Sequence, residues 1–113
     1  YNMPSLLLLE GELDIDALEN ALQTIISRHE ILRTNFIEID GIFHQVVGKS
    51  SRFQLEKREI EESKIEEMVD SILVEPFDLE EDLLFRATLF SVAPERYYLF
   101  INMHHIICDG WSI

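Results

Sequence analysis

The sequence of 113 residues is poor in several features that define whole classes of protein. Its one cysteine, Cys108, cannot form a disulfide within the chain, so we expect a reducing compartment, the cytoplasm. The longest leucine run, Leu6 to Leu9, is too short for a membrane span or for a signal-peptide core. Basic residues are few, since 9 Lys and Arg against 22 Asp and Glu give a formal net charge of -13. This charge argues against nucleic acid and against an anionic membrane as partners.

The composition is that of a globular protein, with 47% hydrophobic and 27% charged residues. The length allows one small domain with a modest core. Two features indicate that it is a piece of a larger domain. The chain begins without an initiator methionine, and it ends one residue after Ser112, inside the polar segment described below. We therefore predict a single partial domain over residues 1–113.

Hydrophobic periodicity predicts six strands and two helices in the order β-α-β-β-β-α-β-β, an α+β fold of mixed α/β layers. The first helix has Asp14 as its N-cap and ends near Arg28 to Glu30, and the second is stopped by Pro76. Asp40-Gly41 predicts a hairpin turn. The predicted strands cover residues 4–10, 32–39, 42–47, 53–60, 84–92 and 97–104. We expect the first and the last of these to be buried.

The chemically richest segment follows the last predicted strand. His104 and His105 are adjacent there, and Asp109 and Gly110 lie within the next five positions. Successive side chains of a strand point to opposite faces, so only one of the two histidines can face a given cleft if the strand persists. A histidine near its ordinary pKa suits proton transfer from a nucleophile. From the residues alone, an equally open alternative is that these are satisfied polar groups at a strand end.

Other chemistries have weaker support in the same segment. A metal site is disfavoured, because adjacent histidines diverge on a strand and no further pair of ligands at metal-binding spacing occurs elsewhere. Cys108 stands close enough to the histidines to be considered as a nucleophile, but we do not favour that role. No glycine-rich phosphate loop is present, so nothing indicates a bound nucleotide.

Residues 104–110, His-His-Ile-Ile-Cys-Asp-Gly, resemble the HHxxxDG signature of condensation domains from nonribosomal peptide synthetases. Residues 28–36 are similar to the RHExLRTxF segment of that family. Further agreement comes, in the family's order, from Tyr1–Pro4, Leu9–Asp14, Pro76–Leu79 and Leu84–Ala87. The last two resemble the PFDL and LxRA segments. The resemblance therefore runs through the whole chain, from Tyr1 to Ile113.

The resemblance implies a fold like that of chloramphenicol acetyltransferase, with two similar lobes around a tunnel. The chain would be part of the N-terminal lobe, without the family's opening motif before Tyr1 and without the C-terminal lobe. The implied activity is peptide-bond formation between two thioesters in antibiotic biosynthesis. The implied partners are the missing lobe, an adjacent adenylation domain, and upstream and downstream peptidyl carrier proteins. The carrier proteins bring phosphopantetheine. No cofactor bound directly by the chain is implied.

The resemblance places the catalytic residue at the second histidine, His105. His104 is then expected to be structural, and Asp109 is expected to hold the loop by pairing with Arg33 or Arg28. Gly110 would allow the turn or a close approach to the cleft. Trp111 and Ser112 are possible substrate-channel residues, or packing residues.

We predict that the isolated residues 1–113 have no turnover, and that their exposed lobe interface causes self-association or dependence on the missing half. Two alternatives remain. One is a different HxxxD acyltransferase that uses coenzyme A thioesters. The other is a non-catalytic docking domain that only holds carrier proteins. The heterocyclising relatives carry a DxxxxD pattern, which this sequence lacks.

Overall fold

A computed structural model describes residues 2–49 and 52–107, and its elements follow the predicted order. The strands β1 to β6, numbered in chain order, are Asn2–Glu10, Thr34–Ile39, Ile42–Val47, Glu56–Glu59, Phe85–Ala93 and Arg96–His104. A four-stranded sheet has the order β1-β6-β5-β4, and a separate two-stranded sheet is formed by β2 and β3. The helices are α1, Ile15–Arg28, and α2, Ile65–Leu73. Short 3-10 turns cover Glu30–Arg33 and Glu62–Lys64.

The helices cover opposite faces of the four-stranded sheet, because neighbouring residues of β5 and β6 alternate between two apolar clusters. Leu89 and Leu99 pack with α1 through Leu22 and Ile26. Phe90 and Phe100 pack with α2 through Ile65 and Ile72. The predicted mixed layers of helix and strand are therefore confirmed. None of the helices in residues 2–49 and 52–107 is long and apolar enough to cross a membrane.

The predicted turns and caps are confirmed where the backbone describes them. The Asp14 side chain accepts a hydrogen bond of 3.0 Å from the Ala17 N–H and begins α1, which ends at Arg28. Asp40 and Gly41 have φ values of 52° and 78°, as a tight hairpin between β2 and β3 requires. β5 and β6 are also joined by a hairpin.

Two predicted strands are shorter than expected. The strand predicted over residues 32–39 begins only at Thr34, because residues 30–33 form a 3-10 turn that buries Leu32 completely. The strand predicted over residues 53–60 is reduced to Glu56–Glu59. Its first part is held instead by α1, since the Leu55 N–H donates to the Glu19 carboxylate at 2.7 Å. Leu32, Phe53 and Leu55 are buried in the same apolar cluster as Leu22 and Ile26 of α1.

The prediction that the first strand is buried is wrong. β1 is an edge strand that pairs with β6, and Met3, Leu6, Leu7 and Leu8 are each 43–47% exposed. Leu6 and Leu8 lie opposite residues of β6 that belong to the α2 face, whereas Leu7 lies opposite Leu99 on the α1 face. A leucine run predicts an apolar strand but not whether a neighbouring element covers it. β6, between β1 and β5, is buried only in part: Leu99, Phe100 and Asn102 are buried and its other six residues are half-buried.

Candidate functional site

The two histidines lie where β6 ends and a helical turn begins. His104 is the last residue of the strand, and residues 105–107 are helical. The backbone N–H of His104 donates to the Leu84 carbonyl at 3.0 Å, which continues the pairing with the segment that leads into β5. The Nδ1 atom of His104 accepts a hydrogen bond of 3.0 Å from the Ile106 N–H. His104 therefore serves the turn as an N-cap, a role usually filled by Ser, Thr, Asp or Asn.

The strand alternation that was expected to separate the histidines does not reach His105, because the strand stops one residue earlier. The helical turn separates them instead. His105 is exposed at its start, whereas Ile107 is fully buried in the cluster that also contains Leu22 and Leu32. Ile107 thus anchors the turn and leaves the His105 imidazole accessible.

The His104 ring is half-buried against an aromatic neighbour. The Phe77 and His104 rings meet edge to face, with centroids 6.0 Å apart and an interplanar angle of 81°. Burial lowers the pKa of His104 below its ordinary value of 6.5, because the charged form loses hydration there. The ring is thereby kept neutral, as its acceptor role at Nδ1 requires.

Arg86 packs on the face of the Phe77 ring. Its guanidinium carbon lies 3.9 Å from the centre of the Phe77 ring. The terminal nitrogens donate to the carbonyl oxygens of Glu75 and Pro76 and to the carboxylate of Asp82, at 3.3, 3.1 and 3.3 Å. The PFDL and LxRA segments are thus in direct contact, and Phe77 brings both to His104.

Asn35 connects the RHExLRTxF segment to the same loop. Its buried side-chain amide donates to the carbonyl oxygens of Leu79 and Asp82 at 3.0 and 2.7 Å. The Oδ1 atom accepts from Arg52 at 2.8 Å, and the Phe36 N–H donates to the Leu79 carbonyl at 3.0 Å. The RHExLRTxF segment is therefore tied to the loop that carries Phe77, and Phe77 contacts His104 at the end of β6.

The two arginines considered as partners of Asp109 are held differently. Arg28 is exposed in the last turn of α1. Arg33 is half-buried, and its terminal nitrogens donate to the Gly48 and Ser27 carbonyl oxygens at 3.0 and 3.3 Å. Its Nε atom is buried without an acceptor among the described residues. Of these two arginines, Arg33 therefore has the fixed side chain, with one donor that no described residue accepts.

The remaining predicted site residues, Asp109, Gly110, Trp111 and Ser112, lie outside the described residues, as does Cys108. Their roles stay predictions. Within residues 2–49 and 52–107, no three His, Cys, Asp or Glu side chains are grouped closely enough to hold a metal ion.

Sequence reasoning missed the residues that support the histidines, namely Asn35, Arg52, Phe77 and Arg86. One signal was available. Asn35 and Arg86 are polar residues inside otherwise apolar strand segments, and such residues need a specific partner when they are buried. Which loop carried that partner could not be deduced from spacing, because the partner lies 44 or more residues away from Asn35.

Comparison with known proteins decides the family. The family described as Condensation domain matches residues 1–113, the whole chain. This chain belongs to the condensation domain family. It is 50% identical over 112 residues to surfactin synthase subunit 2 of Bacillus subtilis (strain 168), and 45% identical over 112 residues to tyrocidine synthase 3 of Brevibacillus parabrevis. Each match covers 99% of this chain but only 3% and 2% of those two proteins.

Solved structures agree on the fold. The X-domain from teicoplanin biosynthesis superposes with a TM-score of 0.87 at 30% identity, over 93% of this chain and 23% of that one. The starter condensation domain of the rhizomide synthetase superposes with a TM-score of 0.87 over 99% of this chain and 28% of its own, and at 23% identity it supports the fold alone. This condensation domain chain therefore has a mixed fold of helices and strands, similar to condensation domains with the chloramphenicol acetyltransferase-like fold, as predicted.

Proposed function

We propose that the chain contributes the histidine-bearing part of a domain that forms peptide bonds in nonribosomal peptide synthesis. The α-amine of an aminoacyl acceptor on one carrier protein would attack an aminoacyl or peptidyl thioester on another. Both substrates would be held on the phosphopantetheine arms of those carriers, so the domain itself needs no bound cofactor. The observation that carries this proposal is His105, exposed on a turn that Ile107 and His104 fix from either side.

We propose that His105 acts directly on the acceptor amine. A free α-amino group has a pKa of about 8, so at neutral pH removing its proton is a small demand. A general base contributes about 10²–10⁴-fold, and a histidine suits that role. Hydrogen bonding that orients the amine or stabilises the tetrahedral intermediate is the other chemistry open to the same ring.

We propose that Asp109 supports the turn by pairing with Arg33. The Nε donor of Arg33, which is buried with no acceptor in the described part of the chain, favours Arg33 over the exposed Arg28. A carboxylate paired with a guanidinium forms strong, directional hydrogen bonds and would fix the segment that follows His105. Gly110, Trp111 and Ser112 would then shape the cleft beyond the pair.

The chain would be a partial domain, the N-terminal lobe of a larger one. It spans about 23–28% of the superposed structures. The exposed leucines of β1 support this, because apolar side chains on both faces of an edge strand are normally covered. We expect no turnover from residues 1–113 alone. The rest of the domain, two carrier proteins and an adjacent adenylation domain would be the partners.

The test uses the full parent domain with an aminoacyl donor on one carrier and an aminoacyl acceptor on another. Intact-protein mass spectrometry should find the dipeptide on the acceptor carrier. Acyl transfer from coenzyme A thioesters, with none from cognate carriers, would replace this proposal with a coenzyme A-dependent acyltransferase.

A docking function is the second candidate, and one comparison favours it. The X-domain from teicoplanin biosynthesis was also solved in complex with the protein OxyB, and that structure superposes on this chain with a TM-score of 0.85 at 30% identity. A domain of this family can therefore bind another protein. Carrier binding without dipeptide formation in the same assay would support this candidate.

A further inference from the structure

We propose that Phe77 and Arg86 are positioning residues whose stack fixes the His104 ring and, through it, the helical turn that carries His105. The inference rests on the proposed function and adds two residues to it. A continuous path of contacts supports it, from the guanidinium of Arg86 to the backbone N–H of Ile106.

The path begins with a guanidinium that has little freedom. Arg86 belongs to β5, an inner strand of the sheet, and its terminal nitrogens donate to the carbonyl oxygens of Glu75 and Pro76 and to the carboxylate of Asp82. Asp82 is itself fixed, because its carboxylate accepts from the Asp78 N–H at 2.8 Å. The planar fork of an arginine satisfies such a set of acceptors in one orientation, which a lysine cannot reproduce.

Phe77 is held by this guanidinium and in turn restricts the position of the His104 ring. The cation lies 3.9 Å from the centre of the ring, a cation–π arrangement, and the ring meets His104 edge to face. The backbone on either side of Phe77 is tied as well, through the carbonyl of Pro76 to Arg86 and the N–H of Asp78 to Asp82. The Phe77 ring, fixed in this way, packs against the His104 imidazole and restricts its orientation.

The orientation of the His104 ring in turn fixes the position of the helical turn at residues 105–107. Its Nδ1 atom satisfies the Ile106 N–H, which lies one residue after His105 and would otherwise be an unpaired donor at a helix start. If the imidazole tilts, this hydrogen bond breaks and the first turn frays. A displacement of about 1 Å at a reacting group can lower a rate by about 10²-fold, so His105 tolerates little movement.

The test is a pair of variants at Phe77 in the full parent domain, with Phe90→Leu as the matched control. Phe90 is fully buried in the cluster that packs against α2, whereas Phe77 packs against the cluster on the α1 face. Replacement of Phe90 therefore removes the same atoms away from the contact between Phe77 and His104. We expect Phe77→Leu to lower kcat for dipeptide formation by about 10-fold to 10²-fold with KM for both carriers unchanged. Phe77→Tyr, which keeps the ring, should restore kcat. Phe90→Leu should lower the Tm while keeping kcat per folded molecule.

A second readout does not depend on activity. Amide hydrogen exchange of the peptide that contains residues 104–107 should be faster in Phe77→Leu and in Arg86→Lys, but not in Phe90→Leu. Wild-type kcat and wild-type exchange in Phe77→Leu would overturn the inference, and so would an equal loss of kcat in Phe90→Leu. A wild-type domain that makes no dipeptide would refute the proposed function instead, and the exchange comparison would still decide the role of Phe77.

Discussion

The Nδ1 atom of His104 accepts a hydrogen bond from the backbone N–H of Ile106 at 3.0 Å. An imidazole can accept at Nδ1 when it is neutral and carries its proton on Nε2. Burial of the ring lowers its pKa and favours that neutral form. The hydrogen bond and the burial therefore both oppose protonation of His104, and the first turn after β6 depends on the result.

This relationship predicts the titration of His104. Histidine-selective labelling of the full domain should show a midpoint for His104 below 6.5, the ordinary value. The unfolded chain takes up this proton at a higher pH than the folded chain, so the associated stability is complete above about 6.5 and is lost as the pH falls through the lowered folded pKa. His104→Gln should flatten the pH dependence of the free energy of unfolding in that window. A midpoint at or above 6.5 would be incompatible with the neutral cap.

Asn35 should be among the costliest polar residues to replace. Asn35→Leu removes three hydrogen bonds at a buried position, those to the carbonyl oxygens of Leu79 and Asp82 and the one from Arg52, so we expect a loss of about 1–3 kcal/mol in the free energy of unfolding. Urea denaturation of the full domain measures it. Asn20→Leu, at an exposed position of α1, is the control and should change stability by less than about 0.5 kcal/mol. Equal effects at the two positions would contradict the linking role of Asn35.

Asn102 should behave in the opposite way. Its side chain is 0% exposed, and neither of its polar atoms has a hydrogen-bond partner among residues 2–49 and 52–107. A buried amide without partners is destabilising, so Asn102→Leu should maintain stability or raise it by about 1 kcal/mol in the same urea experiment. A loss as large as that of Asn35→Leu would mean that the amide has a partner elsewhere in the full domain.

Asp109 should be needed for folding as much as for turnover. If it pairs with Arg33, a double-mutant cycle of Asp109→Asn with Arg33→Gln should give a coupling energy of about 1 kcal/mol or more. The parallel cycle with Arg28→Gln should give none, because Arg28 is exposed at the end of α1. A fully stable Asp109→Asn domain without activity would instead assign Asp109 to the chemistry.

Local patterns in the sequence were enough to predict the order of elements. The helix start at Asp14 and the hairpin at Asp40-Gly41 depend on nearest neighbours, and both were predicted correctly. The exposure of β1 could not be predicted, because a leucine run specifies an apolar strand and not its place in a sheet. The reduced strand before β5 depended on a bond between Glu19 and Leu55, two residues that are 36 positions apart.

The sequence motif of the site could be predicted, but the residues that hold its histidines in place could not. The pair His104 and His105 could be singled out from the sequence, but the strand was expected to separate them, and a helical turn does so instead. The stack of Arg86 and Phe77 on His104 joins three segments by tertiary contacts. Spacing along a chain contains no information about such contacts.

The measurement that tests the central claim most directly compares the wild-type parent domain with its His105→Ala variant. Each receives an aminoacyl donor on one carrier protein and an aminoacyl acceptor on the other, and the circular dichroism and Tm of the variant verify that it is folded. We predict dipeptide on the acceptor carrier with the wild type and a loss of about 10²–10⁴-fold with the folded variant. A folded His105→Ala domain that forms dipeptide at the wild-type rate would contradict a direct role for His105.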